Sequence, residues 1–206
     1  RAATFYGSVL DAEVVLMSSA EAAEFSKLAD TTYRDVNIAL ANEFARYADR
    51  VGVDIQEVIA AANSQPYSHI HQPGIGVGGH CIPVYPHFLL DRAPELELVA
   101  LSRRVNDGQV DVAVDAIGEA LGGLDGASVL VLGLTYRHGV KELAYSRALP
   151  LIERLVAAGA AVLAFDPLLT DAEISRTGAT PWPWGERAPG VRAIVTIMPH
   201  VWGTLL

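Results

Sequence analysis

The sequence predicts an α/β protein in two successive parts, all-helical first and parallel-sheet second, and three observations carry that prediction. Residues 20–50 contain neither glycine nor proline, residues 63–86 contain four of each, and after Gly122-Gly123 the apolar spacing changes from helical to strand, helix, strand. In the first run Phe25, Leu28, Val36, Leu40, Phe44 and Tyr47 are spread along one long helix. Ser18 and Glu21 stand at capping-box spacing before it, and Gly52 suits a left-handed terminator. Asp54 with Glu57 starts a second helix that runs out near Ala62. The stretch 63–86 is too punctuated for regular structure, and so long a connection in a compact domain is more often functional than idle. Pro86 opens a further helix at its first turn, and another is expected from about Glu95 to Leu121. In the second part 128–132 reads as a buried strand, 146–158 as a helix, 161–165 as a second strand and 193–197 as a third, which implies parallel pairing with a right-handed crossover.

The 206 residues are 51% hydrophobic and 19% charged, ordinary usage for a globular protein and incompatible with disorder. No stretch approaches the roughly 18 uninterrupted apolar residues of a membrane helix, so no membrane association is expected. The chain begins Arg1-Ala2-Ala3-Thr4, with neither Met nor a charged-then-apolar leader, and reads as a portion of something longer. A formal charge of -9 argues against a nucleic-acid partner, which calls for a basic face. The single cysteine, Cys81, has no internal disulfide partner, which fits a reducing, cytoplasmic setting.

Gly74-Ile75-Gly76-Val77-Gly78-Gly79 matches the dinucleotide pattern G-x-G-x-x-G, yet that site needs a strand before it and a helix after it. Prolines at 66 and 73 precede the glycines and prolines at 83 and 86 follow them, so no NAD site is expected here. What remains is bare backbone able to approach a ligand, followed at once by His80 and Cys81. A lone cysteine can be a small buried hydrophobe, but a polar loop is a better place to present a nucleophile than to hide one. Lys27 and Thr31 share a helical face, with Asp35 a turn further, either as a solvated stripe or as part of a site. His69, His71, His80 and His87 offer metal-ligand atoms near Cys81, but their spacing matches no standard zinc motif, and no metal is expected. Asp166-Pro167, after the second strand, reads as a turn initiator or a ribose-binding acid, and Trp182 and Trp184 as packing residues.

Four separated motifs are then informative together: Ala23-Glu24-Phe25-Ser26-Lys27-Leu28-Ala29, Arg34-Asp35-Val36-Asn37-Ile38-Ala39, Gly76-Val77-Gly78-Gly79-His80-Cys81-Ile82-Pro83, and Gly133-Leu134-Thr135-Tyr136-Arg137. In this order they resemble the UDP-glucose/GDP-mannose dehydrogenase family, and the His80-Cys81-Ile82-Pro83 wording is most similar to its UDP-N-acetylmannosamine dehydrogenase branch. The resemblance implies a central helical dimerisation domain over 1–105, a linking helix over 106–124 and a C-terminal Rossmann-like UDP-sugar domain over 125–206, with the N-terminal NAD domain absent. It further implies a homodimer through the 20–50 helix and a four-electron, NAD-dependent oxidation of a UDP-sugar to the uronate. This chain would be the substrate part, inactive without its NAD domain. By match, Cys81 is the nucleophile that forms a thiohemiacetal and then a thioester, and Lys27 is the cation beside the developing oxyanion. Thr31 and Tyr85 occupy the remaining catalytic positions. Gly76, Gly78, Gly79, His80, Tyr136 and Arg137 fall on the substrate.

Departures from the family accompany the matches. Thr31 stands where the family carries Asn, Tyr85 where it carries Asp, and Ala144 where it carries Arg within Glu142-Leu143-Ala144-Tyr145-Ser146. Tyrosine does not replace a carboxylate base, so water activation falls to His80 or to a residue of the absent domain. Lys141, Arg137 or Arg147 would compensate for the lost arginine. The alternative reading is a non-catalytic, dimerising module that binds a nucleotide sugar.

Overall fold

The structure is a computed structural model that describes residues 1–187 and 190–198. Its helical part contains α1 (Ala2–Val9), α2 (Ala20–Val51), α3 (Ile55–Ala62), α4 (Tyr85–Arg92), α5 (Glu97–Asp107) and α6 (Gln109–Leu121). The second part runs β1 (Ser128–Leu132), α7 (Ala148–Ala157), β2 (Ala161–Phe165), α8 (Asp171–Ser175), β3 (Thr180–Pro181) and β4 (Val191–Thr196). Among the described residues no helix is long and apolar enough to cross a membrane.

The cap of α2 is Ser19, one residue after the expected Ser18. Its extended backbone lets its hydroxyl accept from the Ala22 N–H at 3.1 Å. Gly52 ends the helix at φ +73°, as expected. The burial of α2 is the reverse of an ordinary amphipathic helix. Thr31, Asp35, Ala39, Asn42 and Ala48 are buried beneath α3, α4 and α5, which pack on α2, whereas Phe25, Leu40, Phe44 and Tyr47 are exposed. Small residues let α5 approach closely, and polar side chains fill the seam.

The helix expected over 95–121 divides at Gly108, where the chain turns from α5, packed on α2, to α6, packed on α7 and β4. Two packing partners in two directions overrule a continuous helical pattern. Arg192 of β4 donates to the Leu121 carbonyl at 2.6 Å and ties the end of α6 to the sheet.

The sheet has the order β3-β2-β1-β4, with every pair parallel. Strands β1 and β2 match their expected limits, while the third expected strand begins two residues earlier, at Val191. The added β3 and α8 are too short to leave a period in the sequence. Val129 and Val131 of β1, Val162 and Ala164 of β2 and Leu151, Ile152 and Leu155 of α7 form the core, with Ile174 of α8 beside them. Strand β4 alternates, exposing Arg192, Ile194 and Thr196. Asp166 is fully buried. Its Oδ2 accepts from the Leu134 and Thr135 N–H groups at 2.7 and 3.0 Å and its Oδ1 from Leu168 N–H, so it makes the turn and clamps the ends of β1 and β2 together.

At α8, Thr170 and Glu173 form a capping box, and Lys141 donates to Glu173 at 2.8 Å. The lysine and the Thr170 N–H and hydroxyl hold the Glu173 carboxyl down at about 2. The stabilisation is therefore complete above the ordinary carboxylate range and is lost as pH falls toward 2. Compared by thermal unfolding, Glu173→Gln is expected to melt below the parent chain at pH 7, with the gap closed near pH 2. A gap that persists at pH 2 contradicts the carboxylate's role.

Candidate active site

The order β3-β2-β1-β4 reverses direction between β1 and β4, and the carboxyl ends of strands at such a reversal form a crevice where α/β sheets bind ligands. Here the glycine loop of the helical part enters that crevice. Gly74, Ile75, Gly76 and Gly78 meet Thr135, Tyr136, Ser146 and Met198 there, leaving a space of about 160 Å³.

Three asparagine side chains hold the loop in place of a neighbouring strand. Asn37 donates to the His69 carbonyl at 2.7 Å and accepts from His71 N–H at 2.9 Å. Asn63 pairs both ways with Ile70, each bond 2.9 Å, and Asn42 accepts from Gly74 N–H at 2.8 Å. Asn37 and Asn63 each give the loop backbone one donor and one acceptor, and Asn42 gives it an acceptor.

Behind these clamps lies a buried polar circuit. Asn42 donates to Asn106 at 3.0 Å, and Asn106 donates to the Asp35 carboxylate at 2.8 Å. Arg103 spans Asp35 at 2.6 Å and Asp107 at 2.5 Å. Arg147 donates to the Asp107 carbonyl at 2.9 Å, and its Nε approaches the Ile75 carbonyl at 3.5 Å, closing the circuit onto the loop. Burial pushes the Asp35 carboxyl up, opposed by the Arg103 guanidinium and the Asn106 amide.

The glycines accommodate protein at close range. A Cβ on Gly76 would lie 2.5 Å from the Asn106 carbonyl oxygen and 3.0 Å from Arg147. One on Gly78 would lie 3.1 Å from the Tyr145 oxygen, and one on Gly79 3.1 Å from the Tyr136 ring. The cradle a dinucleotide would need is thus already filled, and the loop continues into a turn before α4, so these residues do not fit NAD.

His80 projects into the α/β part. Its ring is edge-on to Tyr136 and Tyr145, with centroids 5.9 and 5.2 Å away, and its Nε2 lies 3.8 Å from Glu142. Cys81 is half-buried, and its carbonyl accepts from the Val84 and Tyr85 N–H groups, fixing it at the first turn of α4. Tyr85 and Lys27 line one cleft of about 530 Å³ with Glu24, Phe88, Asp91 and Arg92. Lys27 is exposed and 3.4 Å from Asp30, whereas Thr31 is buried beneath it, donating its hydroxyl to its own helix. The face shared by Lys27, Thr31 and Asp35 therefore has only its first member at the surface.

Of the three candidate cations, Lys141 is bound to Glu173 and Arg147 to the circuit, and only Arg137 is exposed with its guanidinium unpaired among the described residues. No group of three or more His, Cys, Asp or Glu side chains that could hold a metal occurs among the described residues. The sequence carries one signal for the circuit: Asp35 and Asn42 lie seven apart on α2, and Arg103 and Asn106 three apart on α5.

A helical unit that lays a glycine loop, followed by a half-buried cysteine, against the carboxyl edge of a parallel sheet defines a two-part α/β protein. The chain belongs to the UDP-glucose/GDP-mannose dehydrogenase family. Residues 21–108 match its central domain and residues 130–201 its UDP binding domain. A UDP-N-acetyl-D-mannosamine dehydrogenase from Pyrococcus horikoshii is 41% identical over 158 residues, 74% of this chain and 38% of that protein. An NDP-N-acetyl-D-galactosaminuronic acid dehydrogenase from Ralstonia nicotianae is 37% identical, over 68% of this chain and 34% of its own length. Among solved structures, UDP-D-ManNAc dehydrogenase from Pyrococcus horikoshii superposes with a TM-score of 0.83 at 35% identity, covering 97% of this chain and 47% of that one. A UDP-glucose dehydrogenase from Pyrobaculum islandicum gives 0.84 at 27%, covering 97% and 49%. The chain thus spans less than half the length of these relatives.

Proposed function

We propose that this chain is the substrate-binding part of an NAD-dependent UDP-sugar 6-dehydrogenase acting on UDP-N-acetylmannosamine or a UDP-glucose-type sugar. The observation that carries the reading is the insertion of the glycine loop into the sheet crevice, with His80, the residue before Cys81, edge-on to Tyr136. Hydride acceptance by NAD lies outside the described residues, and the roles here are those of the substrate half. The Cys81 sulfur adds to the C6 aldehyde, forming the C–S bond, while the carbonyl oxygen takes a proton. Lys27 favours the negative oxygen of that adduct. After the second oxidation, water displaces the Cys81 thiolate from the thioester and leaves the carboxylate. Thr31 braces the turn that carries Lys27, and Tyr85 borders the same cleft. Gly76, Gly78 and Gly79 shape the loop beside the sugar, His80 bridges to Glu142, and Tyr136 with the unpaired Arg137 receives the nucleotide.

The same reading divides the chain at about 105 and 124 and places the protein in the cytoplasm. It pairs two copies through the outer face of α2, whose exposed Phe25, Leu40, Phe44 and Tyr47 form an apolar stripe. The non-catalytic alternative has no use for a thiol at this position.

Calorimetric titration with UDP, UDP-glucose, UDP-N-acetylmannosamine and NAD in parallel tests the proposal. Binding of a UDP-sugar without NAD is expected. Binding of NAD alone would contradict it.

A further inference from the structure

Among the described residues Tyr145 is the one non-glycine residue with a positive φ, +58°. A side chain with a Cβ is unfavourable in left-handed backbone, and a bulky one persists there only where its flanks are fixed. Here they are. Ala144 N–H donates to Glu142 at 2.8 Å, Ser146 N–H to the Leu143 carbonyl at 3.0 Å, and the Ser146 hydroxyl to the Leu134 carbonyl at 2.5 Å.

The strained conformation yields position without burial. Tyr145 is 57% exposed, and its ring stands edge-on to His80, the residue before Cys81. Its carbonyl oxygen lies against Gly78, and the residue lines a cleft of about 470 Å³ with Val77, Pro83, Val84 and His87, so it touches the glycine loop and borders open space lined from both sides of Cys81 in the sequence. Packing does not repay a ring this exposed. An aromatic ring held open against His80, the sequence neighbour of the thiol, is suited to the apolar face of a pyranose.

We propose that Tyr145 is a specificity-determining residue, its ring held out by the left-handed backbone to contact the sugar of the bound nucleotide sugar. This rests on the function proposed above.

The test compares the parent chain with Tyr145→Gly, which removes both ring and strain, and Tyr145→Phe, which keeps the ring. Each is titrated calorimetrically with UDP-N-acetylmannosamine and with UDP, and its thermal midpoint is measured. Tyr145→Gly is expected to melt about 2–4 °C higher, to bind UDP-N-acetylmannosamine at least tenfold more weakly and to keep UDP affinity within about twofold. Tyr145→Phe is expected to match the parent. A lower midpoint for Tyr145→Gly, unchanged sugar-nucleotide affinity, or an equal loss of both ligands overturns the proposal. If the parent chain itself fails to bind UDP-N-acetylmannosamine, the functional reading and this inference fall together, and that result is visible before any substitution is compared.

Discussion

Asp35→Ala is expected to lower the thermal midpoint of the chain by roughly 10 °C. The carboxylate is fully buried, its Arg103 partner is also buried, and Asn106 donates to the same oxygen. Removing the acid leaves the guanidinium with the half-exposed Asp107 alone and takes from the Asn106 amide its stronger acceptor. Breaking a buried pair in this way costs about 3–5 kcal/mol, whereas replacing both members by apolar residues of similar volume is often neutral. Asp35→Leu combined with Arg103→Met is therefore expected to recover most of the loss. A single variant that melts with the parent would show that the pair contributes nothing. The damage should also reach the site, because the circuit passes from Asn106 through Asn42 to the amide of Gly74.

Cys81→Ala, placed in an intact dehydrogenase that carries this sequence, is expected to lower uronate formation on the order of 10³-fold. On the proposed mechanism no covalent adduct then holds the aldehyde through the second oxidation, so any remaining turnover should release the aldehyde. Product analysis decides the matter. Uronate formed at the parent rate removes Cys81 from the chemistry and leaves the loop a binding element. In the 206-residue chain taken by itself Cys81 is the sole cysteine, so thiol labelling of that chain before and after substitution reports on this residue alone.

What could be read from the sequence was local. The glycine-free run that forms α2, its stop at Gly52, and the limits of β1 and β2 follow from spacing within one element. The division at Gly108 was hidden because α5 and α6 have different partners, and a helical period does not record which partner it faces. The Thr170–Glu173 box was legible at capping-box spacing, yet it opens a helix of only five residues. At the site, Cys81, Lys27 and the glycines could be singled out as residue types. Their surroundings could not. Polar residues on a long helix ordinarily face water, and it is the bonds to Arg103 and Asn106 of α5 that hold Asp35 and Asn42 inside. The glycines illustrate the same limit, since bare backbone signals a close neighbour without saying whether that neighbour is a ligand or, as at Gly76, Asn106 and Arg147.

The three amides that grip the loop carry no formal charge at any pH the protein meets. Salt does not screen them and protons do not bind them, so no charge on the clamping amides themselves varies with pH or ionic strength. Aspartate in their place would lose the donor and leucine both functions, so no common side chain of similar size except another amide reproduces the grip. A loop held this way has no titrating group among its direct clamps; of the three, Asn42 leans on one at a remove, through Asn106 to the buried Asp35.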